Sequence, residues 1–171
     1  SLGFLRNLVC NSNNHQPGDK IRQFSHKLCE INTPTTYTIQ LVKNGIRYAY
    51  GLSYTPEQII SEYLYYFPHG KQAKIFDRTL NDISFGEKFK KDFETILNFS
   101  KPNKLFLSVS ANYSPVKEAE NVFLFFKEDL IFYPLPTEEN NWLEYSIEVL
   151  NKKLSVALKQ GLKVIFCIGE V

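Results

Sequence analysis

The sequence has few of the residues and patterns that disulfide-rich, zinc-binding or membrane proteins need. Three cysteines occur in 171 residues, and Cys10, Cys29 and Cys167 are widely spaced and odd in number. This predicts no disulfide framework and a reducing, cytoplasmic location. No two Cys or His residues have the short spacing of a tetrahedral zinc site, so we expect no metal ligands. The longest apolar runs, such as residues 122–126, are far shorter than the roughly 20 residues that span a bilayer, which argues against a membrane protein.

An excess of charge of one sign is also missing. The 20 basic and 18 acidic residues are mixed along the chain and give a net charge of +2. Such a balance gives no direct nucleic-acid signal and no attraction to a membrane surface. What the chain does contain is 43% apolar residues and 15% aromatics, enough for an ordinary domain with a core of Phe and Tyr.

The strongest local pattern is a hairpin centred on Asn44-Gly45. Residues 36–43 and 46–54 alternate apolar and polar side chains around this pair, and both turn residues tolerate positive φ. Two further β-rich runs, residues 59–67 and 73–78, are joined by the Pro- and Gly-containing turn 68–71. The pattern predicts an antiparallel meander of four strands. The fold class is therefore expected to be α+β, with an antiparallel sheet of about four to six strands and flanking helices.

Hydrophobic spacing predicts the remaining elements. Helices are expected over residues 1–10, 89–99, 115–129 and 142–160, and short strands over residues 23–31, 130–133 and 162–168. Residues 11–20 have loop composition, and residues 82–85 form a short run before Gly86. Residues 105–111 form an apolar run that is too short for periodicity to distinguish a buried strand from a turn of helix. The last helix and strand predict a C-terminal helix–strand tail of α/β type.

Six segments within about residues 1–133 resemble, in order, the middle of the abortive-infection-type ATP-binding proteins, which are named as AAA ATPases and have an ABC-like head. The segments are FLRNLV (residues 4–9), QPGDKI (16–21), NGIRYAYGLSY (44–54), IISEYLYYFPHG (59–70), IFDR (75–78) and KPNKLFLSVSANYS (101–114). The resemblance implies that residues 1–135 are part of an ATPase head whose antiparallel sheet forms one wall of the nucleotide site. In this phage-defence family, ATP-driven pairing of two heads would control a toxic or nuclease partner.

Such proteins bind ATP and Mg through a phosphate loop, GxxxxGK[ST], which precedes the FLRNLV segment. That pattern does not occur in the 171 residues, and the family's magnesium-binding carboxylates lie downstream of the segments seen here. We therefore expect no catalytic residue, no bound cofactor and no ATP hydrolysis by the chain alone. The expected partner is another protein or the remainder of the ATPase head.

Residues 144–171 resemble a different family. The run EVLNKKLSVALKQGLKVIFCIGE (residues 148–170) is similar to the fourth helix and fifth strand of triosephosphate isomerase. This implies a second unit over residues 136–171 that resembles part of a TIM barrel. Cys167 and Glu170 match positions near that enzyme's site, but not its acid, base or electrophile. A join within residues 134–145 indicates a fusion, a rearranged reading frame or an assembly artefact.

Two residues are nucleotide-associated candidates. Arg78, which follows a strand beside Asp77, is a candidate for sensing nucleotide or a partner head; the alternative, which we favour, is a cross-strand ion pair with Glu62. Asn112 lies where ABC-like heads have a polar residue that links nucleotide to the helical region. The favoured alternative is an asparagine that caps a loop.

Other polar and aromatic residues give weaker signals. His15, His26 and His69 lie on a predicted loop, strand and turn, so no histidine cluster is predicted. The aromatic residues at positions 63, 65, 66 and 67 are candidates for base stacking, but no Lys or Arg interleaves them, and core packing and sheet propensity are the preferred interpretation. The first function hypothesis is a partial ATPase head. The alternatives are a non-catalytic protein-interaction fragment and a triosephosphate-isomerase-like remnant or fusion.

Overall fold

The computed structural model describes residues 2–23 and 33–131. The chain divides into two compact units, Ser1–Leu130 and Ile131–Val171. In the first unit, five strands form one antiparallel sheet in the order β1-β2-β3-β4-β5. The strands are β1 (Thr35–Lys43), β2 (Ile46–Tyr54), β3 (Ile59–Tyr66), β4 (Ala73–Thr79) and β5 (Asp82–Phe85). The helices are α1 (Leu2–Asn11), α2 (Lys90–Glu94), α3 (Phe106–Tyr113) and α4 (Lys117–Leu124).

The α+β class and the antiparallel meander are confirmed. Asn44 and Gly45 both have positive φ, 52° and 74°, as the hairpin signal predicted. The four predicted strands are present, and the run 82–85 adds a fifth at the edge of the sheet. The total lies within the expected range of four to six.

One face of the sheet packs against the helices. Along β2, Tyr48, Tyr50, Leu52 and Tyr54 are buried at alternate positions, as expected for a strand with one covered face. The pairing of β3 with β4 shifts in register between Leu64 and Tyr65 of β3. This irregularity allows two consecutive residues of β4, Ile75 and Phe76, both to be buried. The opposite face presents mainly polar side chains.

Helix α1 is also confirmed, with Leu5, Leu8 and Val9 buried. The predicted helix over residues 89–99 is wrong as one element, because it is divided into α2 and a 3₁₀ turn, Leu97–Phe99. The Thr95 hydroxyl donates a hydrogen bond of 2.7 Å to the carbonyl of Asp92. Such side-chain bonds compete with the helical pattern, and the chain changes here to the tighter 3₁₀ turn.

The apolar run 105–111, for which the sequence did not distinguish strand from helix, lies almost entirely in helix α3, and Phe106 to Ser110 are all buried. Helix α4 begins at Lys117, two residues after Pro115, and continues into a π-helical turn, Phe125–Asp129. Arg6 of α1 donates from Nε to the carbonyl of Phe126 at 2.9 Å and from Nη2 to that of Lys127 at 3.0 Å. These bonds satisfy carbonyls that the end of a helix leaves without partners.

Several predicted elements lie wholly or mainly outside the described residues. These are the strand over residues 23–31, the helix over 142–160 and the strand over 162–168. Of the strand predicted over residues 130–133, the structure describes Leu130 and Ile131 and places neither in a strand. That prediction is wrong at those two positions.

The turn between β4 and β5 contains an unusual backbone conformation. Leu80 has a φ of 55°, and this left-handed region costs an L-residue roughly 1–2 kcal/mol. Two hydrogen bonds stabilise it: the Leu80 amide donates to the Ile60 carbonyl at 2.8 Å, and Arg78 Nε donates to the Leu80 carbonyl at 2.7 Å.

We expect Leu80→Asn to raise the free energy of unfolding by about 1 kcal/mol, because Asn adopts positive φ more readily. Leu80 is 42% exposed, so part of its apolar surface is not buried and is not lost on substitution. Leu80→Val is the matched control and should lower stability, because a β-branched residue fits this region poorly. Urea denaturation measures both. A less stable Asn variant would show that contacts of the leucine side chain outweigh the backbone strain.

Candidate functional site

A buried ion pair joins the neighbouring strands β3 and β4. Glu62 and Arg78 are directly opposite each other in the register, with side chains 0% and 1% exposed, and Arg78 Nη1 lies 3.9 Å from Glu62 Oε2. The favoured interpretation of Arg78, a cross-strand pair with Glu62, is therefore confirmed. Its role toward a nucleotide stays a prediction.

The Glu62 carboxylate also caps the start of helix α3. It accepts hydrogen bonds from the amides of Phe106 at 2.6 Å and Leu107 at 3.0 Å, and from the Tyr50 hydroxyl at 3.0 Å. Helix N-termini have free amides and a positive partial charge, so a carboxylate is stabilising there. Leu105, the residue just before α3, has no side-chain cap, and Glu62 of strand β3 supplies the cap instead.

Arg78 connects the same centre to two turns. Besides the Leu80 carbonyl, its guanidinium donates to the carbonyls of Lys104 at 2.7 Å and Lys101 at 3.1 Å. Among the described residues, every buried side-chain nitrogen or oxygen has a hydrogen-bond partner. The Glu62–Arg78 centre is therefore satisfied by the protein itself.

Burial shifts both ionisable groups toward their neutral forms. Loss of hydration raises the pKa of Glu62, while Arg78, the two α3 amides and Tyr50 act in the opposite direction. Loss of hydration likewise lowers the pKa of Arg78, and Glu62 partly offsets it. The pKa of Tyr50 is raised well above its ordinary value, by burial and then by the neighbouring Glu62 charge.

A second polar cluster joins the 101–105 segment to the loop after α1. The buried Asn103 donates from Nδ2 to the carbonyls of Gln16 at 2.8 Å and Asp19 at 3.0 Å. His15 Nδ1 lies 2.8 Å from the Asn103 carbonyl, and because a carbonyl only accepts, this nitrogen carries the hydrogen. Lys104 Nζ donates to the Asn13 carbonyl at 2.7 Å. These bonds hold the loop 11–20, which was predicted from composition alone, against the 101–105 segment.

Asn112 lies in the last turn of helix α3. It is exposed, and its Nδ2 donates to the Ser108 carbonyl at 2.7 Å, one helical turn earlier. The prediction that Asn112 caps a loop is wrong, because the residue lies at the end of helix α3 and not in a loop. Its proposed link to nucleotide stays a prediction.

The aromatic cluster of β3 is divided between the two faces of the sheet. Tyr66 packs edge-on against Phe89 at 5.6 Å and belongs to the core side, so core packing is confirmed there. Tyr63 and Tyr65 are half-buried on the opposite face, with ring centroids 5.4 Å apart. Core packing is wrong for these two, but their position in β3 agrees with the sheet propensity of tyrosine. A Cβ at Gly51 would collide with the Tyr63 ring, so glycine provides the space in which this ring lies against the sheet.

We expect the stability of the chain to fall between pH 10 and pH 12, in part through Tyr65. Its hydroxyl donates to Asp77 Oδ2 at 2.5 Å, and burial together with Asp77 raises its pKa from 10.0 to about 12. Neutral Tyr65 therefore contributes its full stabilisation below pH 10 and loses it as the pH rises through about 12. Urea midpoints across this interval should fall less steeply in Tyr65→Phe. Identical slopes in the two proteins would contradict the assignment.

Within residues 2–23 and 33–131, no group of three or more His, Cys, Asp or Glu side chains is arranged to bind a metal ion. In the same part of the chain, no helix has the length and apolar character needed to cross a bilayer. Cys10 is a free thiol whose pKa is raised by burial. His26, Cys29, Cys167 and Glu170 lie outside the described residues.

Sequence reasoning missed Tyr50 and the two α3 amides as partners of Glu62. One usable signal was present: Glu62 alternates with the apolar Leu64 along β3, and Arg78 with Phe76 along β4. Charged residues at inward positions of neighbouring strands indicate a buried pair. No protein family, curated protein or solved structure matches the chain.

Proposed function

We propose that the described unit is the antiparallel-sheet lobe of an ABC-like ATP-binding head of the abortive-infection type. The observation that supports this most is the position of the resembling segments. FLRNLV lies in α1, the hairpin and IFDR segments lie in β2 to β4, and KPNKLFLSVSANYS leads into α3. All of them belong to the unit Ser1–Leu130.

In this proposal the lobe has a structural role in the head. Phosphate and magnesium chemistry requires a GxxxxGK[ST] loop, which the sequence does not contain. Glu62 and Arg78 do not supply a substitute, because both groups are buried and bonded to the protein. Their role is to fix helix α3 and the 101–104 turn against the sheet.

Calorimetric titration with Mg-ATP tests the proposal in two arms. The chain by itself is expected to show no micromolar binding. A fusion that adds a strand and a GxxxxGK[ST] loop before Leu2, in phase with helix α1, is expected to bind Mg-ATP and to lose binding when the loop lysine is changed to Ala. A folded fusion that binds no nucleotide would contradict the proposal, and binding by the chain alone would contradict the requirement for the loop.

A further inference from the structure

Two aromatic residues that are distant in sequence form an exposed stack. Phe99 ends the 3₁₀ turn after α2, and Tyr113 ends α3. Their ring centroids are 4.6 Å apart with an interplanar angle of 19°, and the residues are 49% and 50% exposed. About half of each residue is therefore open to solvent.

The surroundings of the stack are polar and basic. Asn13 Nδ2 donates to the Tyr113 hydroxyl at 3.3 Å, and its carbonyl accepts from Lys104 Nζ at 2.7 Å. Lys101 follows Phe99 by two residues and is exposed. The stack and these three neighbours are called the Phe99–Tyr113 patch: Asn13, Phe99, Lys101, Lys104 and Tyr113.

Acidic residues are nearly absent from the segments that form the patch. Residues 11–20 and 97–114 contain the lysines 20, 101 and 104, and Asp19 is their single acidic residue. The Asp19 carboxylate accepts a hydrogen bond of 2.7 Å from the Gln16 amide. The local charge balance is therefore more basic than that of the whole chain.

We propose that the Phe99–Tyr113 patch binds single-stranded nucleic acid. An unpaired base can stack on the exposed rings, the lysines can neutralise phosphates, and the Asn13 side chain can bond a base edge. A single strand is favoured over a duplex because the bases of a duplex stack on each other and do not present their faces. A protein partner is the competing occupant, because protein interfaces are enriched in Tyr and Phe, but they are depleted in lysine, of which this patch has two.

This inference is independent of the proposed ATP-head function. The whole-chain charge predicted no nucleic-acid signal, and no Lys or Arg interleaves the aromatic residues 63, 65, 66 and 67 in the sequence. Folding brings rings and lysine together at the patch, because Tyr113 packs on Phe99, which lies 14 residues earlier in the sequence and two residues before Lys101.

Fluorescence anisotropy of the full chain with labelled oligo-dT and oligo-rU, each about 12 nucleotides long, tests the proposal. We expect saturable binding of at least one oligonucleotide at about 50 mM salt. Each neutralised phosphate of a single strand contributes about −0.7 to the slope of log K against log salt, so the two lysines of the patch predict a slope of about −1.4. Affinity should then fall about sevenfold on going to about 200 mM salt.

Three substitutions in the patch separate stacking from charge. Tyr113→Leu and Phe99→Leu keep apolar bulk but remove a ring, and each should weaken binding about tenfold. Lys101→Gln should reduce the salt slope by about 0.7. Tyr63→Leu, which removes a half-buried tyrosine from the outer face of the sheet, is the matched control and should leave affinity unchanged.

Circular dichroism verifies the fold of each variant, and the exposed Lys101→Gln keeps the test valid if a ring variant unfolds. The proposal is overturned if the wild-type chain binds neither oligonucleotide at the lower salt, or if folded Tyr113→Leu binds as tightly as wild type. Sedimentation that shows self-association, lost in Phe99→Leu, together with no oligonucleotide binding would instead assign the patch to a contact between copies of the chain.

Discussion

Glu62→Ala is expected to lower the free energy of unfolding by about 3–5 kcal/mol, the cost of removing one member of a buried ion pair. The substitution removes the Glu62 carboxylate, whose side chain is 0% exposed, and leaves the buried Arg78 charge without a counter-ion. It also removes the acceptor of the Phe106 and Leu107 amides and of the Tyr50 hydroxyl. Urea denaturation at neutral pH gives the difference directly.

A double-mutant cycle distinguishes the contribution of the pair from that of its separate partners. Glu62→Ala with Arg78→Ala should cost at least about 1 kcal/mol less than the sum of the single changes, because each single variant leaves one charge unpaired. It should still be less stable than wild type, since the carbonyls of Leu80, Lys101 and Lys104 lose their donor.

The matched control is Glu120→Ala, which removes a surface ion pair. Lys117 Nζ and Glu120 Oε2 are 2.7 Å apart, but the side chains are 80% and 41% exposed. Solvent screening should limit the effect to about 0.5 kcal/mol or less. Similar losses for Glu62→Ala and Glu120→Ala would show that the buried centre does not stabilise the fold as described.

Local signals in the sequence were sufficient for most of the sheet. The Asn44-Gly45 turn and the alternation of its flanking runs predicted β1 and β2, and the β-rich runs on either side of the 68–71 turn predicted β3 and β4. The side-chain period of a strand and the residues of a tight turn are short-range properties. The four-residue strand β5 lies at the edge, where its pairing with β4 supplies the stabilisation that so short a segment lacks by itself.

Helix α3 was not predicted, because the interactions that define it are long-range. The residue before it is Leu105, which offers no side-chain cap, and the cap comes from Glu62, 44 residues earlier in the chain. The same holds for the Phe99–Tyr113 stack. Contacts of this kind depend on which elements the fold brings together, and neither propensity nor periodicity contains that information.

The aromatic cluster below the sheet predicts the second large effect. Phe93 is fully buried and contacts four other rings, with centroid distances of 5.2 Å to Phe85, 5.3 Å to Phe106, 6.1 Å to Phe89 and 6.3 Å to Phe76. Helix α2 has five residues and no side-chain cap, so it depends on this burial for its stability. Phe93→Ala should therefore lower the free energy of unfolding by about 3–5 kcal/mol.

Phe99→Ala is the control for Phe93→Ala, since Phe99 follows in the next turn but is 49% exposed, and its loss should cost under about 1.5 kcal/mol. Hydrogen exchange adds a local test. Phe85 of β5 packs on Phe93, and among the described strands β5 pairs only with β4. Phe93→Ala should therefore accelerate exchange of the β5 amides more than that of the inner strand β2. Equal acceleration in β2 and β5 would mean that the cluster stabilises the sheet as a whole, and it would contradict a specific role for Phe93 in fixing the β5 edge.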